Sequence, residues 1–448
     1  MHDTRKTLYY IAAAVVLVAL AWLSLPRQFT PEAFHDQGQT FFPAFTDPNA
    51  ATSLEVIDWD EATGRAKPFK VQFKNGRWTI PSHHDYPADA KDRLAKTAAG
   101  VIDLTKDDFR TDNIAEFADC GLIDPLDDKA TGSVGRGQRI TIRGAGDEVL
   151  ADFIVGKFVA GKSEYRYMRV PNVNRVYAVK SKLEISARFE DWIDRDLLQL
   201  SKDQINKVVR RDYSINERSG SVEQRENLTL LSKDGKWTLN GGSVDSTAVQ
   251  SLLSAIDTVT IEGVRKKPEG LSATLRAERG GSITQADMLS LQGKGFYISR
   301  DGQLLSNEGE LQVQSKDGIT YVLRFGEVLH GSGLMISSGE GEEDAAASGA
   351  AASRYLFLTC DFDPKFYPEP KRPSDTSWVG RPDSTLSASQ REQAKLKSEH
   401  DRWFDQVKRS NERAIELNRR FADWYYVITS DAFDKLHVGR GELSGKKK

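Results

Sequence analysis

Asn75-Gly76-Arg77-Trp78-Thr79-Ile80 and Asp234-Gly235-Lys236-Trp237-Thr238-Leu239 repeat one pattern: a turn dipeptide, a basic residue, tryptophan, threonine and an aliphatic residue. Asn-Gly and Asp-Gly accept the positive φ angles of a type I′ turn. Alternating apolar residues lead into each turn, Phe69, Val71 and Phe73 in one case and Leu228 and Leu230 in the other. Both stretches therefore predict β-hairpins.

The same order of elements extends outward from each hairpin. A short strand precedes it, at 54–57 and at 207–210. An amphipathic helix follows it. Asp89 can cap the first helix, whose stripe is Leu94, Ala98, Val101 and Ile102; Asp245 or Ser246 can cap the second, with Val249, Leu252, Leu253 and Ile256. A second hairpin then spans 139–161 in one copy and 311–331 in the other, with Gly156 matching Gly326 and Gly161 matching Gly331 at one offset. An aromatic strand closes each copy, with Tyr165-Arg166-Tyr167-Met168 set against Tyr355-Leu356-Phe357-Leu358. The expected fold class is α+β: a tandem duplication of an antiparallel-sheet-plus-helix unit, at 50–200 and 201–362.

Three segments depart from the repeat. Residues 335–353 are low in complexity and predict a loop inside the second copy. Residues 363–384, rich in Pro, Asp and Ser, predict a linker. Residues 385–448 predict a long C-terminal helix and a basic tail. The helix runs from Ser387 to Phe421, roughly 50 Å at the standard rise. Its thin stripe of Leu396, Trp403, Val407, Ala414, Leu417 and Phe421 suits packing on the body or pairing with a partner helix. Residues 421–428, FADWYYVI, read as a strand or helix end returning to the core.

The N-terminus, 1–28, carries an apolar run at 8–25 that predicts a single transmembrane helix of roughly 27 Å. Tyr9, Tyr10 and Trp22 lie near its ends, where amphipathic rings favour the headgroup region. Arg5 and Lys6 precede it, while Glu32 and Asp36 follow Arg27, so the N-terminus is expected inside and the bulk of the chain extracytoplasmic. A cleavable signal ending near Ala19-Leu20-Ala21 is the alternative, but the apolar run continues past it.

Composition excludes several classes. Lys plus Arg number 62 against 65 for Asp plus Glu, a net charge of -3 with no basic signature for nucleic acid. Cys120 and Cys360 are the two cysteines, too few for a disulfide framework or a zinc cluster; one bridge or two buried thiols stay open. No catalytic, cofactor-binding or metal residue is assigned. Gly132-Ser133-Val134-Gly135-Arg136-Gly137 lacks the following helix that would hold a phosphate. His83-His84-Asp85 places neighbouring side chains in different directions on an extended chain, which a metal site does not tolerate. Asp124, Asp127 and Asp128 lack calcium-loop spacing and read as turn residues. Trp78 and Trp237 fit core positions between sheet and helix better than sugar-stacking platforms.

With both copies laid out, the chain resembles the family called domain of unknown function 4340. The resemblance rests on the N-terminal anchor, the Gly76-to-Ile80 hairpin, Tyr86-Pro87-Ala88-Asp89, Cys120-Gly121-Leu122-Ile123-Asp124-Pro125, and the strands at 153–157 and 166–179. Cys120 stands where the family's motif has tyrosine. What the resemblance implies is a single-pass protein of the bacterial inner membrane, often encoded beside gliding-motility-type ABC transporter subunits. The expected function is thus a non-enzymatic accessory or scaffold protein with a transporter partner, and the alternative is a module binding envelope glycan or polymer.

Overall fold

The computed structural model describes residues 11–19, 35–61, 63–130, 132, 134–183, 185–216, 221–276, 282–331, 333–339 and 352–444. Most of the expected anchor, 8–25, lies outside them; residues 11–19 are helical and exposed. Among the described residues no helix is long and apolar enough to cross a membrane. The loop at 335–353 also falls mostly outside.

The chain divides into unit 1, residues 1–70 and 91–187, and unit 2, residues 71–90 and 188–448. The first set of strands is β1 Ser53–Asp60, β2 Arg65–Lys74, β3 Arg77–Ile80, β4 Tyr86–Pro87, β5 Asp108–Thr111, β6 Gln138–Arg143, β7 Val149–Val159, β8 Lys162–Arg169 and β9 Val176–Lys180. They form one sheet in the order β4-β3-β2-β1-β6-β7-β8-β9-β5. Helix α1, Lys91–Ile102, buries Leu94, Ala98 and Val101 from the stripe read in the sequence, leaving Ile102 half-buried.

The second set is β10 Ile205–Asn216, β11 Ser221–Lys233, β12 Lys236–Leu239, β13 Gly263–Lys266, β14 Phe296–Ile298, β15 Leu304–Ser306, β16 Glu310–Ser315, β17 Ile319–His330, β18 Ala352–Phe362 and β19 Trp424–Thr429. Its main sheet runs β12-β11-β10-β16-β17-β18-β19-β13, with β14 and β15 pairing separately. Helix α2, Ser246–Asp257, is capped by Asp245, whose carboxylate accepts from the amides of Thr247 and Ala248. Val249, Leu252, Leu253 and Ile256 are buried. The chain is α+β with large antiparallel sheets.

Seven strands of the first sheet, β3-β2-β1-β6-β7-β8-β9, stand in the order of β12-β11-β10-β16-β17-β18-β19, and β5 then matches β13. The strand β19 that completes the second series follows α3, Ala388–Phe421, the long helix read in the sequence, and Ser387 caps it through a capping box with Gln390. Within residues 421–428, Phe421 ends the helix and the chain from Trp424 returns to the core as β19, where Tyr425, Tyr426, Val427 and Ile428 are fully buried. Pairing also corrects the sequence register. Arg166 lies opposite Phe158 and Arg354 opposite Val328, so Tyr167, not Tyr165, matches Tyr355.

Candidate functional site

Both sheets carry the same irregularity, and in unit 1 it opens into a groove. The β7–β8 register shifts between Val155 and Phe158, and the β17–β18 register shifts between Phe325 and Val328. Gly156 and Gly326 occupy these bulges. Each lies against a chain reversal: Gly121, at φ 68, ends the short helix Phe117–Cys120, and Gly295, at φ 77, follows the helix Gln285–Gln292. An arginine from the next strand closes the bulge. Arg166 Nη2 donates to the Gly156 carbonyl at 2.8 Å, and Arg354 Nη1 to the Gly326 carbonyl at 2.7 Å. Charge-assisted bonds of this kind satisfy a carbonyl that the ladder leaves out.

In unit 1 the bulge borders an open, polar cavity of about 650 Å³ whose walls include Asp58, Trp59, Lys67, Gln138, Val155 and Arg166. Gln138 pairs with Val155 across the sheet and donates its amide to Asp58 at 2.7 Å. Lys67 bridges to Asp60 at 2.6 Å. The Arg136 guanidinium sits 3.9 Å from the Trp59 ring centre and donates to the carbonyls of Asp124, Pro125, Ala130 and Gly132. This clamp organises the glycine-rich stretch that the sequence reads as a loop. Lys157 likewise donates to the carbonyls of Ala118 and Asp119. Arg136, Lys157 and Arg166 thus bond to backbone carbonyls and form no ion pair among the described residues. At the groove's edge Phe158, under Arg166, is 61% exposed.

The other residues singled out in the sequence serve separate places. His83 stacks on Phe189 at 4.1 Å, His84 Nε2 lies 3.0 Å from the Ser338 carbonyl, and Asp85 pairs with Lys74. Asp124 joins Arg139 and Asp152 in an ion-pair cluster, and Asp127 caps a turn. Trp78 and Trp237 are half-buried, Trp78 against the exposed Phe73. Cys120 and Cys360 are both free and buried. Burial pushes the Cys120 thiol up, as it does that of Cys360, so neither is an activated thiolate. Lys267 is wholly buried, its ammonium over the Phe357 ring and donating to the Phe421 carbonyl. Among the described residues no three metal-ligating side chains come together.

Burial, helped by the charges of His84 and Arg265, pushes His83 down to about 3. The folded state therefore keeps this imidazole neutral while the unfolded chain protonates near pH 6.5. Stability from this group is complete above pH 6.5 and falls as pH drops toward 3, by about 1.4 kcal/mol per pH unit. Between pH 7.5 and pH 5.0 the wild-type chain should lose about 2 kcal/mol more than His83→Phe in urea unfolding. Parallel losses in the two proteins would refute a neutral buried His83.

Sequence reading missed Arg166 and Arg354. The available signal was the Arg-Tyr pair at 166–167 and 354–355, hidden by aligning the tyrosines two residues out of register.

Fold and groove together define an α+β protein with two large antiparallel sheets of matching strand order and a polar surface groove on the first. Residues 78–274 match the family described as Domain of unknown function (DUF4340). No curated protein and no solved structure matches.

Proposed function

We propose that this chain is a non-enzymatic, membrane-anchored extracytoplasmic protein, an accessory or scaffold component beside an ABC-type transporter in the bacterial envelope. In this reading residues 8–25 anchor it in the inner membrane with the N-terminus inside, and its two sheets descend from one duplicated unit. The observation that supports an interaction role is the surface of α3. Its buried residues are Ser410, Ala414, Leu417 and Phe421, all in the last third. The earlier turns bury none, and Phe404 there is 56% exposed. Trp403 Nε1 donates to the Tyr367 carbonyl and Gln393 accepts from Ser374, so the expected linker runs along one side of the helix. A helix that packs by one end and is mostly exposed along the rest suits a docking rod.

The test is affinity purification of the full-length protein from detergent-solubilised native membranes, with identification of what co-purifies. Permease and ATPase subunits should be recovered with the wild-type chain and lost with Phe404→Asp combined with deletion of residues 388–402. That deletion spares the buried end of α3. Recovery of the chain alone, or with envelope polysaccharide, would overturn the accessory reading in favour of a ligand-binding module.

A further inference from the structure

The matched strand orders allow the unit 1 groove to be compared, residue by residue, with the same position in unit 2. Asp58 pairs laterally with Gln138, which lies opposite Val155; Asp212 holds the place of Asp58, Phe325 that of Val155 and Arg354 that of Arg166. Counted back from the aligned turns, Lys67 stands where Glu226 stands. In unit 2 these four positions are all covered by the chain's own C-terminal segment, helix α4, Ser430–Leu436, and the turn Arg440–Leu443. Phe433 packs edge-on to Phe325 at 5.1 Å, with the Arg354 guanidinium 4.1 Å from its ring. His437 lies 3.5 Å from Asp212, and Arg440 lies 3.3 Å from Glu226. In unit 1 the deeper part of the surface, Leu54, Val56 and Phe69, is buried, while the outer part that matches the Phe433–Arg440 footprint is the open groove.

We propose that the unit 1 groove receives a short helical segment of a protein partner, carrying an aromatic ring against Val155 and Arg166 and a carboxylate against Lys67. This rests on the interaction reading above and gives it a second contact surface. The aromatic follows from the matching arginine and apolar floor, Arg354 and Phe325, which in unit 2 hold Phe433. The carboxylate follows from charge: Glu226, which takes Arg440, is replaced by Lys67, which bridges to Asp60 at 2.6 Å. The cations of the groove, Lys67, Arg136, Lys157 and Arg166, outnumber its carboxylates, Asp58, Asp60 and Glu61, and among the described residues Arg136, Lys157 and Arg166 are hydrogen-bonded only to backbone carbonyls. Asp58, retained from Asp212, is placed to accept from a donor one helical turn beyond the aromatic, as Asp212 faces His437.

The test uses the purified full-length chain in detergent and two peptides with the sequence of residues 429–444, one unaltered and one carrying Arg440→Glu, each with a photoreactive ring at the Phe433 position. The Arg440→Glu peptide should bind about fivefold tighter, because it exchanges a repulsive pair for an attractive one. Lys67→Glu should reverse that preference and Lys67→Gln should abolish it, and the cross-link should map to β7 and β8. Equal binding of both peptides, indifference to Lys67, cross-linking to β17 instead, or binding of polyphosphate but neither peptide would each overturn the proposal. Failure here with transporter subunits still co-purifying removes the groove alone; peptide binding without co-purification supports the groove and removes the transporter.

Discussion

Gly156→Ala and Gly326→Ala should each destabilise their own unit by about 3 kcal/mol, lowering that unit's melting transition by roughly 6–12 °C. A methyl group at Gly156 would lie 2.2 Å from the Cys120 carbonyl oxygen and 2.9 Å from that of Gly121. At Gly326 it would lie 2.2 Å from the Lys294 carbonyl oxygen and 2.6 Å from the Phe296 ring. These neighbours are backbone and a buried ring, so no flexible side chain can swing aside. Shifting the reversal would also strain the Gly121 or Gly295 turn and the amide of Glu327, which donates to the Lys294 carbonyl at 2.9 Å. Gly161→Ala is the control: its methyl would meet open space, and only its φ of 76° is disfavoured, a cost of about 1 kcal/mol. Calorimetry of the three variants decides the matter. Equal small shifts in all three would mean that the bulges do not need glycine for close approach.

The parts of this fold legible in the sequence are those written locally. The two Asn/Asp-Gly turns fold as read, with Asn75 at φ 53° and Asp234 at φ 51°. The α1 and α2 stripes and the Ser387 start of α3 follow from periodicity and capping over a few residues. What local reading could not supply was pairing between distant segments. That β19 completes the second sheet after a 34-residue helix depends on Tyr355 and Leu356 finding Val427 and Tyr426, far along the chain. The groove was invisible for the same reason. Asp58, Lys67, Gln138 and Arg166 are unremarkable surface residues in order of sequence, and only the cross-strand register brings them together. Glycine periodicity did point to Gly156 and Gly326, because close approach leaves a compositional trace that lateral charge placement does not.

Lys267→Met should raise the stability of unit 2 at pH 7 by about 1–4 kcal/mol less the value of one lost hydrogen bond, about 1 kcal/mol. Burial holds the Lys267 ammonium well below the usual lysine range, against a smaller opposing pull from Asp423. Its surroundings are the Phe357 ring at 3.8 Å, the Tyr425 ring at 5.5 Å and one acceptor, the Phe421 carbonyl at 3.0 Å. One carbonyl and two ring faces replace only part of an ammonium's hydration. The folded state therefore binds fewer protons here than the unfolded chain, which protonates at about pH 10.4. By linkage the stability from this site is greatest above that value and is lost as pH falls toward the folded pKa, at about 1.4 kcal/mol per unit. Methionine has a similar length, fills the same slot and carries no proton, so its contribution is flat with pH. The advantage of the variant should accordingly be small at pH 10 and grow at pH 9 and pH 8 in urea unfolding. Lys267→Ala separates the two causes, since it removes the same charge but leaves a cavity beside Phe357 and Tyr425 and should destabilise at pH 10, where the lysine is not penalised. A stability difference between Lys267→Met and wild type that stays constant from pH 10 to pH 8 would mean that the folded protein keeps Lys267 charged, and that the aromatic pair and the helix-end carbonyl of α3 solvate it as well as water does.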